Sequence, residues 1–401
     1  MELSYSEIIA RVQPSPTLAL DALAKSMAAA GKKVVNLAIG EPNFETPEHV
    51  REAAIKAIRD GFTRYTQSEG ILPLREKAAE MFKKDNGLDY SPEQIVVTNG
   101  GKHALYNAMR VLFNPGDEVV IPSPYWVTYP AQVILAGAVP VFAKTSAADG
   151  WRLKPEELER VLSPKTRGII INSPSNPTGQ LYDRGELEEL GSILVKRPVW
   201  IISDDIYEKL VYDGSVFSDM PMAVPELKER TVICHAVSKT YAMTGWRVGF
   251  MAAPREVARR AAVIQSQMTS NPCGVAQKAA LAALAGPQEC VDEMVRIFDR
   301  RRRLATRLFR DIPGFQTDVP KGAFYVFPDV SGLYGGKIKG TSVDSSDDLA
   351  SLLLKECEVA CVPGKAFGED GSLRFSYAAS DEDIALAAER MAALLSGAGK
   401  G

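Results

Sequence analysis

Residues 234–250 read CHAVSKTYAMTGWRVGF and set Lys239 between a short apolar run and a glycine-punctuated turn. Val232, Ile233 and Val237 predict a buried strand and its exit, which leaves the lysine amine in apolar surroundings with no ion-pair partner near it in the chain. Burial disfavours the ammonium form, so such a lysine releases its proton more easily and becomes a nucleophile able to form a Schiff base with a carbonyl cofactor. A solvated loop lysine is the plainer reading of a Ser-Lys pair taken alone. Arg247, further along and bracketed by Gly245 and Gly249, favours the reactive reading, as does the company kept by other short apolar runs.

Each of those runs ends in polar residues with chemical potential. After IVVT come Asn99, Gly100, Gly101 and Lys102 at the start of a helical pattern. Two glycines there let a ligand approach free backbone N–H groups, and the helix dipole favours an anion such as phosphate. A lysine is unfavourable beside a helix N-terminus, so Lys102 points to an anionic partner, although any strand-to-helix turn can use glycines. After EVVIP, Tyr125 and Trp126 can stack on a flat heterocycle or simply pack. After GIIIN, the string SPSNPTG at 173–179 presents Asn176 from a rigid turn, where its amide can orient a ligand or cap the next helix. After VWIIS come Asp204, Asp205, Ile206 and Tyr207. A carboxylate at the end of a buried strand can pair with a protonated pyridine nitrogen or cap a turn, and strand alternation lets only one of the two aspartates reach a given ligand.

The elements that must position these residues follow from periodicity. IVVT, EVVIP, VPVFA, GIIIN, VWIIS, TVICH and VGFMAA alternate with helical patterns near 102–112, 125–136, 155–162 and 184–196, which predicts a mostly parallel α/β sheet with ligands at the strands' carboxyl ends. Before it, residues 1–33 read as an arm and one amphipathic helix carrying Leu18, Leu20, Leu23 and Met27. VVNLAIG then reads as a strand, followed by a helix to about Asp60 with Thr46 as N-cap and Pro47 at its first position. A helix after Tyr65 should stop at Gly87, and one long helical stretch should run from about 275 to 310. A second, smaller α/β region has strands near FYVFP, VACVPG and LRFSYAA and a last helix from about 381, with residues 331–345 expected as a mobile loop. The length of 401 residues suits two domains, divided as 1–45 (arm and part of the small domain), 46–285 (large domain) and 286–401 (small domain).

Composition removes several function classes. A net charge of -3 gives no field for nucleic acid, and the Arg300–Arg303 run, near Asp292, Glu293 and Asp299, reads as a solvated helix face. No stretch has the length and apolarity of a membrane span. Five cysteines without C-x-x-C spacing and three scattered histidines indicate neither a disulfide framework nor a metal site, so a cytoplasmic setting without a metal is expected. The acidic N-terminus MELSYSEIIARV does not read as a signal peptide.

Taken in order, SPSNPTG, SDDIYE and SKTYAMTGWRVG resemble the class I and II aminotransferase family with its aspartate aminotransferase fold, and in particular its bacterial aspartate type. The resemblance runs from IGEPNF through LRFSY and implies the pyridoxal-phosphate fold type I. It implies pyridoxal 5'-phosphate as cofactor, with Lys239 as the Schiff-base lysine that also moves the substrate Cα proton, Asp204 on the ring nitrogen, Asn176 and Tyr207 on the ring hydroxyl and Trp126 stacked on the ring. Arg247, the backbone of Gly101 and Lys102, and Tyr65 from a partner subunit would hold the phosphate, which makes a homodimer with shared sites the expected assembly. Arg374 in LRFSY, which by itself reads as a surface residue, would bind the substrate α-carboxylate beside Gly40, Trp126 and Asn176. Lys102, Ser15 and Thr17 match groups that read an acidic side chain, so aspartate and glutamate with 2-oxo acids such as 2-oxoglutarate are the implied substrates in a ping-pong reaction. Ala236 departs from the serine many relatives carry there, a loss that His235 or Ser238 could offset.

Prephenate or other aromatic substrates, or a carbon-sulfur lyase activity, fit the same fold. A non-catalytic sensing module of the kind fused to transcription regulators would need a DNA-binding domain for which the sequence leaves no room, and a nicotinamide-dependent oxidoreductase would need a G-x-G-x-x-G after its first strand, which is not found.

Overall fold

The seven apolar runs all become strands of one sheet: β1 (Ile95–Thr98), β2 (Glu118–Ser123), β3 (Val139–Lys144), β4 (Thr166–Asn172), β5 (Trp200–Asp204), β6 (Thr231–Ala236) and β7 (Gly249–Ala252), in the order β1-β7-β6-β5-β4-β2-β3. The structure, a computed structural model, describes residues 4–14 and 16–396, without the side chains of residues 16–19 and 21. Strands β2 to β6 pair in parallel and β7 runs antiparallel to both β6 and β1. Strands β1, β6 and β7 are buried along their whole length, as continuous apolar runs require when helices cover both faces. The four expected crossover helices form at Gly101–Leu112, Thr128–Leu135, Pro155–Val161 and Arg184–Leu194. Asp183 and Glu186 start the last with a reciprocal capping box.

The smaller region has its own core, in which Phe298, Phe309, Phe324 and Phe375 pack with Val35 and Leu37. Leu373–Ser376 lies between Val362–Pro363 and Tyr325–Val326 in a three-stranded antiparallel sheet. Val35–Asn36 pairs in parallel with Val359–Ala360, so the chain just before Gly40 is built into the C-terminal region. No helix among the described residues is long and apolar enough to cross a membrane.

Five local expectations need correction. The stretch 275–310 is two helices, Gly274–Ala285 and Glu289–Arg310, because Pro287 cannot donate its backbone bond. Gln288 Nε2 donates to the carbonyls of Ala283 and Gly286 at that break. Residues 331–345 contain the hairpin Gly336–Ile338 and Thr341–Val343 instead of a mobile loop: Lys339 and Gly340 both take the positive φ of a tight two-residue turn, and Ile338 and Val343 are buried. Thr46 does not cap the helix Glu48–Arg59, whose N-cap is Pro47; its hydroxyl donates to Ala242 O and accepts from Trp246 Nε1, both at 2.9 Å. In the helix Pro16–Ala29, Leu23 faces outward while Ala24 is buried.

The arginine run is not a solvated face either. Arg302 is 1% exposed, because helical spacing from Phe298 turns it into the core. It binds Asp299 at 2.6 Å, Asp213 at 2.8 Å and Pro320 O at 2.9 Å. Arg301 is also buried, bonded to Asn43 and Asp381, while Arg303 remains at the surface.

Candidate active site

The carboxyl ends of β5 and β6 open into a cavity of about 290 Å³, roofed by the smaller region through Tyr325 and Arg374. One end of it is an anion cradle. Gly100, at φ 84°, N-caps the helix Gly101–Leu112, and a Cβ at Gly100 would stand 2.4 Å from Arg247 Nη2. A Cβ at Gly249 would meet the Gly100 carbonyl carbon at 2.5 Å, so only glycines let β7, the helix start and the guanidinium converge. Arg247 reaches across from its own left-handed turn and donates to Thr244 O at 2.8 Å. Helix-terminal N–H groups and a guanidinium at one point suit a phosphate.

Asp204 ends β5, buried, with Oδ2 accepting from Tyr129 Oη at 2.6 Å and its backbone carbonyl accepting from Asn172 Nδ2 at 2.8 Å. Burial pushes its carboxyl up to about 6, against the opposing pull of the Tyr129 bond, the Ile206 N–H and the charges of His235 and Lys239. Asp205 turns the other way and accepts from Ser203 Oγ at 2.6 Å, as strand alternation predicted. Lys239 Nζ donates to Gly40 O at 2.5 Å and lies 5.7 Å from the Phe324 ring centroid. Burial lowers it to about 8, helped by the charges of Arg374 and Arg247 and opposed by Glu41 and Asp204.

Across the cavity Arg374 is 2% exposed. It donates to Asn176 Oδ1 at 2.9 Å and to Ala38 O at 2.7 Å, and its guanidinium carbon lies 4.6 Å from the Tyr325 ring centroid and 5.0 Å from that of Phe367. Its Nε is buried without a partner among the described residues. Tyr207 Oη and Tyr325 Oη are 2.8 Å apart, and Lys102 Nζ rests 5.0 Å over the Trp126 ring.

Gly40, Gly101, Lys102, Trp126, Asn176, Asp204, Tyr207, Lys239, Arg247 and Arg374 therefore all line one cavity. Tyr65 does not; it is 90% exposed outside it. Ser15 and the side chain of Thr17 lie outside the described residues. Of the two groups that could offset Ala236, Ser238 lines the cavity, while His235 faces away, toward Glu208. Sequence reasoning missed Tyr129, Asn172 and Tyr325. Asn172 carried a signal, since it ends an apolar run as Asp204 does, and Tyr129 stands one helical turn beyond Trp126. Tyr325 sits in an apolar string and had none.

The family model for aminotransferase class I and II matches residues 32–391. The chain belongs to this family. It is 47% identical to the aspartate/prephenate aminotransferase of Cereibacter sphaeroides, over 98% of each chain. Among solved structures, the aspartate aminotransferase from Rhizobium meliloti superposes with a TM-score of 0.96 at 40% identity, covering 99% of this chain and 100% of that one. The aspartate aminotransferase from Thermus thermophilus with maleate gives 0.91 at 39% identity, over 98% and 100%. The cavity between sheet and smaller region lies at the carboxyl ends of the strands, where a parallel α/β sheet characteristically offers a ligand site.

Proposed function

We propose that this chain is a pyridoxal 5'-phosphate-dependent aminotransferase that moves the amino group of L-aspartate or L-glutamate to a 2-oxo acid such as 2-oxoglutarate in a ping-pong cycle. The observation that carries this reading is the convergence on one cavity of a half-buried amine lowered to about 8, a buried carboxyl raised to about 6 and a buried arginine whose Nε has no partner among the described residues.

The donor set fits the cofactor. Gly101, Lys102 and Arg247 form a cradle for its phosphate, Asn176 and Tyr207 offer polar groups to its ring hydroxyl, and Trp126 offers a flat face. Asp204, uncomfortable as a lone buried anion, gains a cation from a protonated ring nitrogen. When bound, the cofactor supplies an electron-accepting ring that stabilises negative charge at the substrate Cα.

The protein's own part is binding, orientation and proton movement. Arg374 holds the α-carboxylate as a two-pronged donor, kept in register by Asn176, Ala38 and the two aromatic faces. Lys239 Nζ, with a substantial free-amine fraction near pH 8, would hold the cofactor through its carbonyl group, and as a free amine it is the base that takes the proton from the substrate Cα and gives it back. Tyr129 and Asn172 fix Asp204 so that its carboxylate faces the ring without reorganising. Lys102 at the cavity edge is positioned to meet an acidic side chain.

Several wider features belong to the same reading. The chain divides at residues 45 and 285 into a large domain and a smaller one formed by its two ends. Exposed Tyr65 completes a second copy's cradle in a homodimer, and the enzyme works in the cytoplasm with free cysteines. The relative named for both aspartate and prephenate supports a second reading, in which a bulkier oxo acid also enters.

The test is the visible spectrum of the purified protein loaded with pyridoxal phosphate, followed as L-aspartate, L-phenylalanine or L-alanine is added without any oxo acid. Conversion to the pyridoxamine phosphate spectrum at the lowest concentration with aspartate is expected, with Lys102→Ala weakening conversion by aspartate far more than conversion by alanine. Conversion by phenylalanine or alanine alone would remove the acidic specificity, and no cofactor spectrum at all would remove the whole reading.

A further inference from the structure

Behind the cavity lies a second set of buried polar groups that none of the steps above uses. The segment 204–208 has two sides: Asp204 and Tyr207 line the cavity, while Asp205 and Glu208 turn away from it. Glu208 is 4% exposed, with Oε1 3.3 Å from His235 Nε2 and Oε2 accepting from Asn86 Nδ2 at 3.1 Å. Lys209 Nζ stands 3.7 Å from the same carboxylate and bonds Asp85 at 2.8 Å nearer the surface. His235 is 1% exposed at the end of β6, its ring packed against Phe82 and Phe250.

A carboxylate this deep stays ionised only beside a cation. Burial would raise Glu208, yet it is held down to about 2 by its close contact with His235, then by Lys209 and Asn86. The pair is also mechanically tied to the cavity. Asp204 is the register partner of Cys234, and the Asp205 N–H donates to Cys234 O at 3.0 Å, so the residue that pairs with Glu208 follows directly on the strand position that pairs with Asp204.

We propose that His235 is a positioning residue for the cavity: by pairing with Glu208 it clamps the segment 204–208 from behind and so fixes where Asp204 and Tyr207 present their polar atoms. What those atoms hold rests on the reading under Proposed function. Without the imidazole, the Glu208 carboxylate keeps only Asn86 and the more distant Lys209, and its shift toward Lys209 and the surface drags the backbone that carries Tyr207. Arg374, on the far wall, is untouched by that movement.

The experiment compares the wild-type protein, His235→Asn, and the double variant His235→Asn/Glu208→Gln. Each apoprotein is titrated with pyridoxal phosphate, read by absorbance, and each loaded enzyme is assayed with the amino donor. In His235→Asn the cofactor Kd rises about tenfold, the factor corresponding to about one pKa unit of lost interaction. With cofactor saturating, kcat falls while KM for the amino donor stays within about twofold, since only uniform binding would move KM alone. The double variant recovers cofactor affinity to within about threefold of wild type, because removing both partners of a buried pair leaves no orphaned charge.

A His235→Asn protein with wild-type Kd and kcat, or a double variant no tighter than the single one, overturns the proposal, whatever happens to the unfolding temperature. Should His235→Asn not fold, His235→Gln, which removes the ring but fills more of its space, is read in the same way. A wild-type protein that binds no pyridoxal phosphate sinks the cofactor reading itself and this inference with it, an outcome distinct from a wild-type protein that binds and a variant that matches it.

Discussion

The sheet side of the cavity and the side facing it use burial for opposite ends. On the sheet side the polar groups are titratable and displaced toward neutrality, Lys239 down to about 8 and Asp204 up to about 6, because each loses hydration faster than it gains a charged neighbour. On the facing side Arg374 is more deeply buried than Lys239, and it is embraced by neutral groups, the Asn176 amide, the Ala38 carbonyl and two aromatic faces. Burial lowers Arg374 too, yet a guanidinium does not lose its proton in a protein, so the same desolvation that makes a lysine reactive makes an arginine a stronger anion trap. A group that must exchange protons and a group that must hold charge can thus share one cavity.

If that division holds, each wall fails in its own way. On the proposed reading Lys239→Ala removes the amine that serves both attack and proton transfer, and turnover should fall by at least about 10⁴-fold. Near-normal turnover in that variant would end the assignment. The facing wall gives a smaller, differently shaped loss: Arg374→Lys keeps the charge but not the two-pronged geometry or the stacking, and kcat/KM should fall about 10²- to 10³-fold. Cofactor affinity in Arg374→Lys should stay as in the wild type; a parallel loss there would show that the two walls are not separable.

The two walls were not equally legible in the sequence. The sheet side could be read because apolar strands end abruptly in polar residues, and Asn99, Asn176, Asp204 and Lys239 all follow such an end or its turn. The apolar runs of the inner strands marked the sheet for the same physical reason, since a strand covered on both faces favours a near-continuous apolar run. Arg374 could not be read from its surroundings, because an arginine in a short strand has no local mark of burial; the aromatic cage that buries it comes from Tyr325 and Phe367 at other points of the chain. Only the family resemblance singled it out. Arg302 misled for the converse reason. Four consecutive arginines look like a charged surface, whereas Asp213 and Pro320 supply the partners that let one of them enter the core. Tyr129 belongs with these, since its bond to Asp204 joins residues far apart in sequence.

The finest test of the contrast is the pH at which the amine becomes reactive. On the proposed reading, the rate at which apoprotein captures pyridoxal phosphate should follow the free-amine fraction of Lys239, which rises from about one-tenth at pH 7 to about nine-tenths at pH 9 for a group near 8. A roughly ninefold increase over that range, levelling above it, is expected from stopped-flow absorbance. The walls then pull the midpoint in opposite directions. Arg374 and Arg247 favour the free amine, while Glu41 and Asp204 favour the ammonium form. Arg374→Met should therefore move the midpoint up and Asp204→Asn should move it down. Equal shifts of one sign in both variants would mean that general loosening of the cavity, and not the charge on each wall, sets the reactivity of Lys239.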